Sequence, residues 1–191
     1  MGKTALVVGA TGVVGRELVR ELCDSPGYDE VEAWVRREIG FCHPKLRVRI
    51  IDFEGISDIA PHKFDEIFCA LGTTMKQAGS REAFLRVDVD YVYAAAKWGK
   101  AAGVRRFVLV SSPGANEGSP GFYLRAKGRI ERRVSELGFD SLQIVRPPLI
   151  LDERSDTRPL ERLAAAVFKL LPASACSVNL DRLAAQVSPA R

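Results

Sequence analysis

The stretch Gly9-Ala10-Thr11-Gly12-Val13-Val14-Gly15 decides the fold that this sequence predicts. The apolar run before it, residues 4–8, is typical of a strand buried on both faces. After it, apolar residues at positions 13, 14, 18, 19 and 22 follow helical spacing. Glycines at a strand-to-helix turn permit a tight turn, and they let the backbone approach a phosphate group. Since the first N–H groups of the helix favour an anion, residues 9–15 are predicted to be a phosphate-binding loop. The alternative is a glycine-rich turn without a ligand.

Short apolar runs and helical patterns alternate along the rest of the chain. The runs lie at residues 4–8, 31–35, 46–53, 67–71, 107–110 and 142–145, with long helical patterns at 80–102 and 121–137. Strands that alternate with helices form parallel sheets covered by helices on both faces. The sequence therefore predicts an α/β fold, a doubly wound parallel sheet of order 3-2-1-4-5-6. We expect a single domain over residues 1–191, in which residues 153–191 form a short C-terminal extension.

The composition excludes several classes of protein. Of 191 residues, 47% are hydrophobic and 27% are charged, which is typical of one globular domain rather than a disordered or fibrous chain. The net charge of +4 is small and scattered, so we expect a small-molecule substrate and neither a nucleic-acid nor a membrane partner. Four widely spaced cysteines without a C-x-x-C pair favour a reducing cytoplasm. No metal site is expected, and a monomer and a homodimer are both compatible with the sequence.

The ends of the later strands indicate which coenzyme such a loop would hold. The second strand ends at Arg36 and Arg37 instead of an acidic residue, and guanidinium groups suit the 2′-phosphate of NADP. A solvated basic turn is the alternative for this pair. Asp52, at the end of the third strand, can bond the adenine amino group or serve as a turn residue. Residues 71–74 end the fourth strand, where Gly72 permits close approach and the threonine hydroxyls can bond ribose or phosphate.

Two Y-x-x-x-K patterns are candidates for proton transfer. Tyr93 and Lys97 are offset from the apolar stripe predicted for the helix at 80–102, so surface positions explain them. Tyr123 and Lys127 begin a stripe that continues through apolar residues 130, 134 and 137, and this stripe is expected to face the sheet. A phenol beside an ammonium group can exchange a proton with a substrate oxygen. The alternative is a wedged aromatic ring with a lysine that extends outward.

A pair of serines ends the fifth strand, shortly before this helix. The hydroxyl of Ser111 or Ser112 can polarise a carbonyl group or position a substrate. Ser111, Ser112, Tyr123 and Lys127 are therefore the candidate catalytic residues.

Three segments in the middle of the chain point to a known family. F-C-A-L-G-T-T-M-K-Q-A-G (residues 68–79), R-V-D-V-D-Y-V (86–92) and V-R-P-P-L-I-L-D-E-R (145–154) resemble segments of the atypical short-chain dehydrogenase/reductases. The similarity is particularly to the Tat-interacting oxidoreductase-like proteins, and it covers roughly residues 4–172. The resemblance implies a Rossmann domain that binds NADPH. The cofactor-binding positions it implies are Gly9, Thr11, Gly12, Val13, Val14, Gly15, Arg36, Arg37, Leu71, Gly72 and Thr73, with Arg146 and Pro147 beside the nicotinamide.

The sequence departs from this family in two respects. An Asn that completes a proton relay in many members of the wider family is not apparent in the long helix, where Asp88 and Asp90 occur instead. The part after Pro172 is shorter than the family leads us to expect, which disfavours a nucleotide-sugar epimerase. The expected function is an NADP-dependent oxidoreductase that reduces a small carbonyl or enone. The alternative is an NADPH-binding regulatory or scaffolding protein that senses redox state.

Overall fold

Six parallel strands form one sheet, whose order is 3-2-1-4-5-6 as predicted. The computed structural model describes residues 2–147. The strands are β1 (Lys3–Val8), β2 (Tyr28–Val35), β3 (Leu46–Ile50), β4 (Glu66–Cys69), β5 (Arg106–Val110) and β6 (Ser141–Val145). The doubly wound α/β fold is therefore confirmed. The expected extension at 153–191 lies outside the described residues.

Helices cover both faces of this sheet. They are α1 (Val13–Asp24), α2 (Met75–Ala78), α3 (Arg81–Leu85), α4 (Val92–Ala101) and α5 (Phe122–Ser135). Successive side chains of β1 point to opposite faces, so Leu6 and Val8 belong to one apolar cluster and Ala5 and Val7 to the other. Because both faces are covered, all four are fully buried. This explains the continuous apolar run that precedes the glycine-rich loop.

The register of the central strands aligns their carboxyl ends. Val8 at the end of β1 pairs with Trp34 in β2 and with Cys69 at the end of β4. The loops that follow these strands therefore leave the sheet at one common edge. In doubly wound sheets this edge is where ligands bind.

The third strand is shorter than the sequence predicts. It ends at Ile50, and Phe53–Asp58 form a short 3₁₀ helix. Asp52 is the N-cap of this helix, because its Oδ1 accepts a hydrogen bond from Glu54 N at 3.0 Å. β3 is an edge strand, which explains why Val48 and Ile50 are exposed although the pattern is apolar.

The helix predicted at 80–102 is interrupted by an unpredicted π-helical segment, Arg86–Tyr91, between α3 and α4. The first turn of α3 is capped by Ser80 Oγ, which accepts a hydrogen bond from Ala83 N at 3.0 Å. A π turn holds more residues than an α turn, so it rotates the buried face of the helix. The sequence predicts an apolar stripe of Phe84, Val87, Tyr91, Ala94, Trp98 and Ala101. This is partly wrong: Phe84 and Trp98 are buried, but Val87 is only half-buried and the adjacent Asp88 is buried. Within residues 2–147, none of the helices could span a membrane.

Candidate functional site

The glycine-rich loop connects β1 to α1 and needs glycine at two positions. Gly9 has φ 89°, and a Cβ there would lie 2.6 Å from the backbone N of Leu71. A Cβ at Gly15 would lie 2.2 Å from the carbonyl oxygen of Gly9, so α1 packs directly on the loop. The N-cap of α1 is Gly12, and no side chain caps the helix or places an acidic group in its first turn. The first N–H groups of α1 are thus left for an anion.

Two adjoining cavities line the carboxyl edge of the sheet, and we call them together the groove. The arginine cavity, of about 470 Å³, contains Arg36 and Arg37. The tyrosine cavity, of about 520 Å³, contains Tyr123 and Lys127. Both are lined by the same central residues, Thr11, Gly12, Ala70, Leu71, Gly72, Thr73 and Gln77. The groove therefore runs from the end of β2, across the glycine-rich loop, to the start of α5.

The predicted phosphate-loop and β4-loop residues all lie near this groove, although not all of them line it. Val13 and Val14 line the tyrosine cavity, whereas Gly15 is buried beneath the loop. Arg36 and Arg37 are exposed, and neither has a hydrogen bond or ion pair with another described residue. Two unpaired guanidinium groups at one end of a groove are suited to a phosphate group.

Two of the predicted cofactor positions have other contacts. Asp52 caps the 3₁₀ helix and lines neither cavity of the groove, which matches the turn-residue interpretation. Arg146 forms a two-pronged ion pair with Glu131 of α5, including a bond of 2.9 Å from Nε. Pro147 lines the tyrosine cavity. The side chain of Arg146 thus joins α5 to the residue after β6, and it lines neither cavity of the groove.

Lys127 is buried, as its helical stripe predicts. Only 7% of the residue is exposed, and Ile130 and Val134 behind it are fully covered. Its Nζ lies 2.7 Å from Oδ1 of Asp88, which is itself 1% exposed. The other carboxylate oxygen of Asp88 accepts a hydrogen bond from Thr73 N at 2.8 Å. Burial raises the pKa of Asp88, and the neighbouring ammonium group opposes that rise.

Tyr123 differs from the prediction, because it is 37% exposed instead of buried. It is the second residue of α5, and it lines the tyrosine cavity. Its ring contacts Phe84 edge-on at 5.8 Å, and Lys127 Nζ lies 6.0 Å from the ring centre. The ring is therefore held in place while the phenol can be reached from the groove.

The two serines after β5 also lie in the tyrosine cavity, where both are buried. Oγ of Ser112 makes one long contact, of 3.5 Å, to the carbonyl oxygen of Pro113. Oγ of Ser111 has no hydrogen-bond partner in the described part of the chain. A buried hydroxyl without a partner is costly, so a ligand oxygen is a reasonable partner for it.

The second Y-x-x-x-K pattern lies outside the groove. Arg133 stacks 3.8 Å from the centre of the Tyr93 ring, and Lys97 is exposed. Tyr93 and Lys97 line a separate cavity of about 400 Å³ between α4 and the 3₁₀ helix. The surface interpretation of this pair agrees with these contacts.

Asp88 is the site residue that sequence reasoning missed. It was noted only as a departure from a family pattern, although it lies one helical turn after Phe84, which is buried. That spacing was the available signal. It was hidden because an acidic residue is rarely buried and the neighbouring Val87 is the apolar residue.

Comparison with known proteins identifies the family. A family model described as NAD(P)H-binding matches residues 9–168. The chain belongs to the NAD(P)H-binding family. Within that family it is 38% identical to Protein HTATIP2 of Rattus norvegicus, over 90% of this chain and 73% of that protein. It is 34% identical to Protein FMP52, mitochondrial, of Candida albicans, over 82% of this chain and 71% of that protein.

Solved structures support the same fold. The oxidoreductase ylbE of Lactococcus lactis superposes with a TM-score of 0.62 at 22% identity, over 81% of this chain and 72% of that one. MoeE5, solved in complex with UDP-glucose and NAD, superposes with a TM-score of 0.59 at 24% identity, over 74% of this chain and 52% of that one. Such low identities establish the fold alone.

These findings confirm the resemblance to the Tat-interacting group, and they support a nicotinamide cofactor for this NAD(P)H-binding protein. They also correct one expectation. A cytoplasmic location, inferred from the spacing of the cysteines, is contradicted by the yeast relatives, which are named mitochondrial. Cysteine spacing excludes a disulfide-rich secreted protein, but it does not distinguish a mitochondrial protein from a cytoplasmic one.

Proposed function

We propose that this protein is an NADPH-dependent reductase of a small carbonyl or enone. The observation that carries the proposal is the continuity of the groove. Thr11, Gly12 and residues 71–73 line both cavities, so one extended ligand can reach from Arg37 to Tyr123. The residues fit a dinucleotide, because Gly9 and Gly15 leave a cradle that a Cβ would fill and α1 has no capping side chain.

The choice of NADPH over NADH rests on the arginine cavity. Arg36 and Arg37 follow β2 directly, where an acidic residue would repel a 2′-phosphate and bind a ribose hydroxyl. Neither guanidinium group is occupied by another described side chain. Both are therefore available to a phosphate group.

The residues of the tyrosine cavity suit a proton transfer. When bound, NADPH supplies the hydride. The phenol of Tyr123 donates the proton to the substrate oxygen, and Lys127 beside it binds ribose hydroxyls and favours the phenolate that remains. The hydroxyl of Ser111 or Ser112 donates a hydrogen bond to the same oxygen and stabilises the charge that develops there.

The cofactor half of the proposal is tested by titrating the protein with NADPH and NADH. We expect wild type to bind NADPH at least about tenfold more tightly than NADH, because the 2′-phosphate adds charge-assisted hydrogen bonds. Arg36→Asp should abolish that preference. Arg47→Asp, an exposed substitution on β3 outside the groove, is the matched control and should retain it. Equal affinities of wild type for the two coenzymes would contradict the choice of NADPH.

The catalytic half is tested by NADPH turnover with a panel of small aldehydes, ketones and enones. Tyr123→Phe should lose about a hundredfold or more in kcat while NADPH binding stays unchanged, since only the proton donor is removed. Tyr93→Phe belongs to the other Y-x-x-x-K pattern and should behave as wild type. A wild type that turns over substrates no faster than Tyr123→Phe would contradict catalysis by this residue.

One observation favours a second function, an NADPH-binding regulatory protein with little catalysis. The ammonium group of Lys127 already faces a buried carboxylate at 2.7 Å, which reduces its effect on the Tyr123 phenol. Tight NADPH binding without turnover in wild type, together with a partner that binds only the NADPH form, would support this function.

A further inference from the structure

Asp88 is a buried carboxylate that joins three parts of the site. It lies in the π-helical segment, its Oδ1 is 2.7 Å from Lys127 Nζ in α5, and its Oδ2 accepts the hydrogen bond of Thr73 N after β4. Only 1% of the residue is exposed. Removing a carboxylate from water is costly unless partners compensate for the lost hydration. The partners that do so here are both in the groove.

The space around this ion pair depends on the adjoining loop. A Cβ at Gly72 would lie 3.2 Å from Asp88 Oδ1 and 3.5 Å from Lys127 Nζ. Glycine at this position therefore allows the pair to sit directly against the loop after β4. The loop, the carboxylate and the ammonium group form one packed unit, and all three line the tyrosine cavity.

The neighbouring acidic residue, Asp90, has a different environment from Asp88. Asp90 lies two residues later on the same segment, is exposed, and contacts Arg133 at 3.5 Å outside the groove. Two carboxylates of similar sequence context thus have opposite environments. Residues two apart lie on different faces of a helix, and Asp88 is on the face that meets Lys127.

A lysine side chain has a flexible four-carbon stem, and without a partner its ammonium group extends towards water. We propose that Asp88 is a positioning residue, which holds the Lys127 ammonium group in the tyrosine cavity at the place where the ribose of a bound nicotinamide coenzyme lies. The inference rests on the proposed function only in assigning the groove to that coenzyme. Asp88 acts through Lys127 and does not itself contact the coenzyme.

The proposal is tested by titrating the full chain with NADPH and with NADH, in wild type and in four variants. Asp88→Asn keeps an oxygen for Thr73 N and loses only the charge. Asp90→Asn is the matched control. Lys127→Met removes the ammonium group, and the double variant Asp88→Asn with Lys127→Met has no lone buried charge.

We expect Asp88→Asn to weaken both coenzymes by the same factor of about ten, because the nicotinamide ribose is common to them. Asp90→Asn should bind as wild type does. The double variant should bind no more weakly than Lys127→Met, since Asp88 has nothing left to position. Heteronuclear NMR should show a slowly exchanging Lys127 ammonium signal in wild type that disappears in Asp88→Asn.

Wild-type affinity in Asp88→Asn would overturn the proposal, and so would an equal loss in Asp90→Asn. A further loss in the double variant relative to Lys127→Met would also overturn it, because Asp88 would then act independently of the ammonium group. Thermal unfolding shows whether Asp88→Asn folds. If it does not, the proposal is tested by comparing the coenzyme affinities of Lys127→Met and the double variant. Absence of binding by wild type would instead overturn the proposed function.

Discussion

The two ends of the parallel sheet differ in how far their polar side chains are paired with one another. At the amino end, the first residue of β4, Glu66, is 3% exposed and is contacted by the first residues of three other strands. It accepts a hydrogen bond from Tyr28 at 2.6 Å and forms ion pairs with Lys3 at 2.7 Å and Arg106 at 3.5 Å. The polar groups of this end therefore bind one another.

The carboxyl end contains the Asp88–Lys127 ion pair, but it leaves several other polar groups available. Arg36 and Arg37 have no partner among residues 2–147, Ser111 Oγ is buried without a hydrogen bond, and α1 begins without a capping side chain. The buried Ser111 hydroxyl costs stability in the free protein, whereas the exposed guanidinium groups are hydrated, and all of these groups suit a ligand. The amino end stabilises the fold, whereas the carboxyl end is arranged for binding.

The largest expected effect is that of Gly15→Ala. The new Cβ would lie 2.2 Å from the Gly9 carbonyl oxygen, so α1 must move away from the loop. We expect NADPH binding to weaken about a hundredfold, equivalent to roughly 3 kcal/mol. The free energy of unfolding should fall by about 1–3 kcal/mol. Coenzyme titration and urea unfolding measure the two effects.

The control for this substitution is Gly55→Ala, where the new Cβ would meet only Asp58 Oδ2, at 3.9 Å. It should leave coenzyme affinity unchanged. Unaltered NADPH affinity in Gly15→Ala would mean that the loop does not hold the coenzyme.

An intermediate effect, confined to stability, is expected for Tyr28→Phe at the amino end. The change removes a hydrogen-bond donor from the buried Glu66, so the free energy of unfolding should fall by about 1–3 kcal/mol. NADPH affinity should stay within about twofold of wild type, because the groove is at the other end. Tyr91→Phe, which removes a 2.6 Å hydrogen bond to the exposed Glu54, should cost about 0.5 kcal/mol or less. A clear loss of coenzyme affinity in Tyr28→Phe would show that the two ends are not independent.

The smallest effect on stability, and one of opposite sign, is expected for Ser111→Ala. Removal of a buried hydroxyl without a partner should leave the free energy of unfolding unchanged or raise it by up to about 1 kcal/mol. Turnover of NADPH with a carbonyl substrate should fall about a hundredfold if this hydroxyl binds the substrate oxygen. Ser112→Ala is the companion variant, and a greater loss of turnover there would assign the role to Ser112. A destabilised Ser111→Ala protein with full activity would contradict the difference between the two ends.

Local patterns were sufficient to predict much of the fold and part of the site. The buried run at residues 4–8, the glycines at 9–15 and the alternation of strands with helices all report interactions within a few residues of one another. The stripe that begins at Tyr123 predicted the burial of Lys127 for the same reason. It did not predict the exposure of Tyr123, because that depends on the cavity that elements distant in sequence form around the first turn of α5.

The ion pair at the centre of the site could not be predicted in this way. Asp88 and Lys127 are far apart in sequence, and Thr73 lies on a third element. Their meeting depends on how three elements distant in sequence pack together, which the pattern of apolar residues along one element does not report.

The sequence by itself determined the positions of the strands and helices along the chain and the position of the glycine-rich loop, because helical and strand periodicity and the conformational freedom of glycine are local properties. Only the tertiary structure decided which polar side chains are partnered and which are free. Pairing requires distant elements to pack at a given rotation and depth. For that reason only the tertiary structure shows that the hydroxyl of Ser111 lacks a partner among the described residues and that the carboxylate of Asp88 pairs with Lys127.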